Sequence, residues 1–475
     1  MTAVAILWLR RDLRLRDNPA LAAAAEADLL IPVFCLDPRL LQGRHQSGAR
    51  TQFMLDCLHD VDRSLRELGS RILVRHGTPE RELPAVAREL GARAVHATAD
   101  VGPYARRRDA AVSSALAADD IELTLHPGLF VVDDPAEIRT SDGGPYTVFT
   151  PYHRSWERAS RRAPLPRPRS LPGLPPGVKT GRIPSLKALG LSQPLSEPPA
   201  GGERAAWARL EAFLADGVDG YHEQRDALGH NGTSALSAYL HFGCLSARQV
   251  EHRLPSSPGA AELRRQLCWR DFYAQVLRSF PRNARSEHQA RYRAQLRWSR
   301  SNRNFDAWRD GRTGYPVVDA AMRQLRREGW IHNRGRLIVG SFLTKDLGID
   351  WRWGERWFME LLVDGDEASN NGNWQWIASV GVDPQPPARR IYNPSRQQHR
   401  FDPDGSYVRR YVPELMRVPD EYLAEPWTMP AEVQETSACI IGSDYPAPIV
   451  EHAQARREAL GRFAAARSVG HGQPQ

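Results

Sequence analysis

Lysine is nearly missing from this chain: Lys179, Lys187 and Lys345 are the only three, so 61 of its 64 basic residues are arginine. Cysteine is sparse too. Cys35, Cys57, Cys244, Cys268 and Cys439 form no CxxC pair and no dense framework, which argues against a disulfide scaffold or a zinc finger and fits a reducing cytoplasm. No apolar run approaches the roughly 18 residues of a membrane span. The N-terminal MTAVAILWLRRDLRL puts its arginines after the apolar run, the reverse of a secretory signal, and reads as a first strand. The N-terminal third has no GxGxxG turn. The remainder has no nucleophile elbow, HExxH pair, Walker loop or Cys/His cluster, so no metal is expected.

A net charge of +8 and a pI near 9.4 point to a polyanionic partner, most simply nucleic acid. The arginine bias and abundant alanine equally suit a coding preference. Thirteen tryptophans are many, and most belong in cores. Residues 1–130 alternate strand-like runs (VAILWL, LLIPVFCL, SRILVRHG, ARAVHAT, IELTLHPGLFV) with amphipathic helical patterns. That order predicts an α/β domain with a doubly wound parallel sheet, its ligand crevice at the carboxyl ends of the strands. Residues 131–203 read as a long connection, with ten of the 36 prolines in 161–203. Residues 204–475 read as an all-α domain.

Several groupings in the helical part suit a nucleotide-like ligand. GTSALS offers Thr233, Ser234 and Ser237 at a helix start, where hydroxyls and free N–H groups suit a phosphate; an ordinary helix cap uses the same residues. Gln266 and Trp269 stand i, i+3 on one helix face, an amide beside a stacking ring. Asn333 and Arg334 could read a base edge and a phosphate, and Arg336 could pair with a carboxylate. In DGDEASNNGNWQWIASVGVDP, the one-residue gap between Trp374 and Trp376 suggests rings aimed at different neighbours and held by a turn.

The joint order WRDFY … GYPVVDAAMRQLRREGWIHNR … IDWR … DGDEASNNGNWQW … RIYNPSRQ resembles the class I DNA photolyases of the photolyase/cryptochrome family, and the likeness spans nearly the whole chain. The resemblance implies a light-harvesting antenna in the α/β domain and a U-shaped FAD in the helical one. Tyr221, Thr233, Ser234, Leu236 and Ser237 would then face the diphosphate and adenine side, with Trp269 and Arg270 along the same cavity. Asp364 and Asp366 would face the ribityl and isoalloxazine region, Arg336 pairing Asp364. Asn370 would face flavin N5, where an amide adds no charge. Trp374, Trp351 and Trp298 would form an electron-hopping chain to the surface. Trp376 and Trp269 would wall the hole that takes a cyclobutane pyrimidine dimer flipped out of ultraviolet-damaged DNA. Asn333 would bond to the dimer, and Arg225, Arg334 and Gln397 would meet backbone or nearby groups. Excited FADH⁻ would lend the dimer an electron and recover it, in a monomeric cytoplasmic enzyme.

The chain departs from that pattern in places. Gln266 stands where many class I members carry glutamate, Leu337 where methionine is common, and residues 384–390 lack the usual Tyr-Phe. DVGPYARRRD resembles the deazaflavin-binding version of the antenna motif, favouring 8-hydroxy-5-deazaflavin over 5,10-methenyltetrahydrofolate, with Arg10, Asp100 and Arg106 as contacts. The competing readings are a cryptochrome that signals without repair, opposed by the short tail after FAAAR, and a basic single-strand binder, opposed by the carboxylates beside the rings.

Overall fold

The computed structural model describes residues 2–470, apart from Asn231, Ala294 and Pro384. Five parallel strands, β1 (Val4–Leu9), β2 (Leu29–Leu36), β3 (Leu73–His76), β4 (Ala94–Thr98) and β5 (Glu122–His126), form one sheet in the order β3-β2-β1-β4-β5. β1 is central: Ile6 is in register with Ile31 on one side and Val95 on the other. It carries no polar residue because both of its faces are covered. Ala5, Leu7 and Leu9 share a core with Phe53, Leu58 and Val61 of α1 (Gly48–Arg66). Val4, Ile6 and Trp8 share another with Leu83 and Val86 of α2 (Pro79–Leu90) and with Val112 and Leu116 of α3 (Pro103–Ala117). The doubly wound sheet is as expected.

β5 ends at His126, short of the LFV that the apolar pattern attached to it. Beyond it, Val131 and Val132 donate backbone N–H groups to the buried Asp271 at 3.1 and 3.3 Å. Residues 131–203 hold structure of their own. α4 (Phe149–Arg158) buries Phe149, Tyr152 and Trp156, and Trp156 Nε1 donates to Asp271 at 2.9 Å. The proline-rich 161–202 holds neither strand nor α-helix, only turns, bends and one 3₁₀ turn at Lys187–Leu189.

From Glu203 the chain is helical with connecting loops. α5 (Pro258–Ser279) begins with Ser257 accepting from Ala260 N and proline at its first position. α6 (Asn333–Ser341), α7 (Trp351–Leu361) and α8 (Glu367–Ala378) are capped by His332, Asp350 and Asp366 in turn. α8 corrects the turn expected for NNGNWQWIA. Its turn-favouring amides are satisfied in the fold, Asn371 on Glu355 at 2.9 Å and Gln375 on the Asn283 carbonyl at 2.8 Å. Positions two apart on a helix diverge by about 200°, so Trp374 and Trp376 do meet different neighbours.

One core runs from the sheet through α1 to Tyr239, Phe242, Leu263 and Leu267; a second lies wholly in the helical half. The exit of β1 is stitched across the junction, Leu13 N donating to Phe242 O at 3.1 Å. Gly243, at φ +67°, ends the helix Ser237–Phe242, and a Cβ there would lie 2.0 Å from the Arg11 carbonyl oxygen. Glycine permits that approach and so admits Arg11 to the helical half.

Candidate active site

A cavity of about 590 Å³ opens between α5, α6, α7 and α8, a size suited to a cofactor. Tyr221, Thr233, Ser234, Leu236 and Ser237 line it. Thr233 and Ser234 precede the helix, which starts at Ser237. Arg209 holds their loop by donating to the carbonyls of Ser234 (2.8 Å) and Thr233 (2.7 Å). Between them and the helix, Ala235 sits at φ +49°, a left-handed conformation that a non-glycine residue keeps only where its surroundings hold it.

Arg336 and Asp364 also line the cavity, and Arg336 Nη2 meets Asp364 Oδ2 at 2.8 Å, the pairing expected. Asp366 caps α8 by accepting from Ser369 N at 2.8 Å, and Arg11 Nη2 reaches it at 2.6 Å. Burial alone would raise the Asp366 pKa, but the neighbouring cations, Arg11 foremost, hold the carboxyl well below the usual range. Arg11 also donates to the His241 carbonyl at 3.0 Å and faces Asp100 at 3.4 Å. Sequence reasoning missed Arg11 and His241, since nothing local marks an arginine after β1 as a partner of the helical half.

Asn370 lines the cavity and donates Nδ2 to the Glu355 carbonyl at 3.0 Å, which leaves its Oδ1 free as an acceptor. The Glu355 carboxyl, which accepts from Asn371, is pushed up to about 7 by burial. Trp374 is 3% exposed, with its ring edge-on to Phe358 at 5.0 Å and to Trp308 at 6.3 Å. A Cβ on Gly354 would lie 2.2 Å from Trp374 Cη2, so glycine lets α7 lie against that ring. Trp351 is fully buried with Nε1 3.4 Å from Glu287, and Trp298 packs against the same core beside the Ser299–Ile349 bridge. Neither of these two lines the cavity.

Trp269, Trp376, Gln266, Asn333, Arg334, Arg225, Arg270 and Leu337 all line it. Two further groups fix the rings. Phe149 of α4 stacks on Trp269 at 3.6 Å and 4°. The Arg390 guanidinium lies 4.0 Å over Trp376 and donates to its carbonyl at 2.8 Å. Each covers one face of its tryptophan, and no motif spacing marked either. Arg334 pairs with Asp226 at 2.8 Å, and Arg270 donates to the Leu129 carbonyl at 2.5 Å. Gln397 is the exception among the expected substrate residues: it lies in the helix Pro394–Phe401 and does not line the cavity.

The donor set fits FAD. Ser237 Oγ and Asp364 Oδ1 belong to cavity-lining residues and are buried without a hydrogen-bond partner, a deficit that a polar ligand would correct. The antenna residues do not show that deficit. Arg10 pairs with Asp109 at 2.5 Å and lies over Trp8 with Arg108, Asp100 faces Arg11, and Arg106 is exposed. Among the described residues, no helix is long and apolar enough to cross a membrane, and no group of three or more ligating side chains could hold a metal.

A doubly wound sheet joined to a helical bundle, with a cavity shaped for a large polar ligand, defines a two-part cofactor protein. The chain matches DNA photolyase over residues 5–169 and the FAD binding domain of DNA photolyase over residues 263–465. It is 40% identical over 472 residues to the deoxyribodipyrimidine photo-lyase of a Synechococcus strain, covering 95% of this chain and 94% of that one. Among solved structures it is similar to a class III photolyase from Agrobacterium tumefaciens (36% identity, TM-score 0.91, 98% of each chain). It is also similar to a cryptochrome from Synechocystis (30% identity, TM-score 0.88, 98% of this chain and 99% of that one). The chain belongs to the photolyase/cryptochrome family, and its helical half contains that family's FAD-binding domain.

Proposed function

We propose that this protein is a deoxyribodipyrimidine photolyase that splits cyclobutane pyrimidine dimers in ultraviolet-damaged DNA. The observation that carries the reading is the meeting, in one cavity, of the carboxylates and hydroxyls suited to FAD with the ring pair Trp269 and Trp376. Reduced FAD bound there would lend the dimer an electron under blue light and recover it once the ring opens, with no net redox change. Thr233, Ser234 and Ser237 would bind the diphosphate side, and Asp364 and Asp366 the polar edge of the ring system. Asn370, its amino group already donated, would offer an acceptor at N5.

Trp269 and Trp376 would wall the lesion, each stiffened from behind. Asn333, exposed at the mouth, would bond to the everted bases, while Arg225 and Arg334 meet the strand. Trp374 would pass an electron into the cavity, refilled through Trp351 and Trp298; Trp374 and Trp351 are buried in one core, against which the partly buried Trp298 packs. The class I placement rests on the motif string, whereas the similar solved photolyase is a class III enzyme. An 8-hydroxy-5-deazaflavin antenna rests on DVGPYARRRD alone. Monomeric action in the cytoplasm belongs to the same proposal.

The test is to reduce the flavin-loaded protein chemically, illuminate it with dimer-containing DNA and follow the lesion. Loss of the dimer under blue light, and none in the dark, is expected. Bound flavin with no repair would favour the cryptochrome reading.

A further inference from the structure

Glu262 and Gln266 stand one turn apart on α5, and both line the cavity. Gln266 Nε2 donates to Glu262 Oε1 at 2.8 Å, and the same oxygen accepts from Arg225 Nη1. A carboxylate has no hydrogen to give, so the part of the Gln266 amide that meets it is the amino group. The amide carbonyl must then point away from Glu262. No protein donor among the described residues engages Gln266 Oε1, and it is not a buried orphan. It is open to whatever enters beside Trp269, three residues further along the same helix face.

We infer that Glu262 fixes the polarity of the Gln266 amide, so that the site offers a hydrogen-bond acceptor to the imide N3–H of a thymine-type base. The inference rests on the reading that a flipped-out dimer enters this cavity. A thymine edge carries a donor at N3 between two carbonyls; a cytosine-type edge carries an acceptor at N3 beside an amino group. A freely rotating amide answers either edge by turning about its last bond. One tethered to an acceptor-only partner keeps its carbonyl turned toward the base and so favours the first. Arg225 Nη1 donates to the same Glu262 oxygen and anchors the tether. Glu262 is therefore a positioning residue with a consequence for specificity, and it restores, one helical turn away, an acidic influence that Gln266 itself lacks.

The experiment measures dark binding of the flavin-loaded protein to three duplexes. One is undamaged, one carries a thymine–thymine dimer, and one carries the same dimer with 5-methylcytosine replacing one thymine. The last two have nearly the same shape and differ in the N3 edge. Wild type should prefer the all-thymine dimer by about tenfold, the loss expected when acceptor faces acceptor in a dry site. Glu262→Ala and Glu262→Gln should each reduce that preference to within about threefold, with FAD content confirming an intact fold. An unchanged preference in both variants, or a wild type indifferent to the edge, overturns the inference and leaves the repair reading intact. A wild type that binds neither dimer better than undamaged DNA overturns both.

Discussion

At the carboxyl end of the sheet, charged groups answer one another: Arg10 and Arg108 share Asp109, and both lie over Trp8. In the helical half, Ser237 and Asp364 each leave an oxygen unanswered. Motif matching marks both places as ligand sites, yet only the second carries an electrostatic deficit that a ligand would correct. Burying a polar atom without a partner costs about 1–3 kcal/mol. Water or a ligand can supply the missing bond. The contrast fits a polar ligand in the helical cavity and leaves the antenna to the sequence motif.

The sharpest way to break the comparison is through the rings of the helical half. Trp374→Phe should slow light-driven reduction of oxidised flavin by at least about a hundredfold (~3 kcal/mol), followed by absorbance under blue light. Repair by the chemically reduced variant should fall no more than severalfold. Equal loss of both would remove Trp374 from the relay.

Next in size is a pair of carboxylate deletions. Asp364→Ala strips Arg336 of its partner within the cavity and should weaken FAD retention by roughly ten- to a hundredfold, up to about 3 kcal/mol, read by flavin release on dilution. Asp109→Ala at the sheet end should lower thermal stability while FAD retention stays unchanged. Equal FAD loss in both would mean that the two ends are one unit.

An effect of similar size, on stability rather than on binding, concerns pH. Burial, the largest influence, holds His332 neutral and lowers its pKa from 6.5 to about 4. Between those values the unfolded chain binds the proton and the native one does not, so stability should fall as pH drops from 6.5 to 4. His332→Asn keeps a capping acceptor for α6 and removes the titration. It should flatten that limb by up to about 3 kcal/mol in denaturant titrations.

The smallest change is expected at the strand ends. Reconstitution with 8-hydroxy-5-deazaflavin should add an absorption band that Arg10→Ala reduces and Arg106→Ala, an exposed position, reduces less. No added band with the deazaflavin, and one with the folate, would reverse the antenna preference.

Sequence periodicity and motif order determined a good deal here. Unbroken apolar β1 implied a sheet covered on both faces, and the amphipathic runs foretold α1, α2, α3 and α5. The order of WRDFY, IHNR, DGDEAS and NWQW drew together residues that do line one cavity. Tertiary structure alone decided the rest. NWQWIA became helical because its amides found partners on Glu355 and the Asn283 carbonyl. Arg11 reached Asp366 across 355 positions, and Phe149 and Arg390 came to stand behind Trp269 and Trp376. A local pattern records which way a side chain faces, because the backbone repeat sets that. Which distant group it will meet depends on how the covered faces pack, and no spacing along the chain encodes the partner.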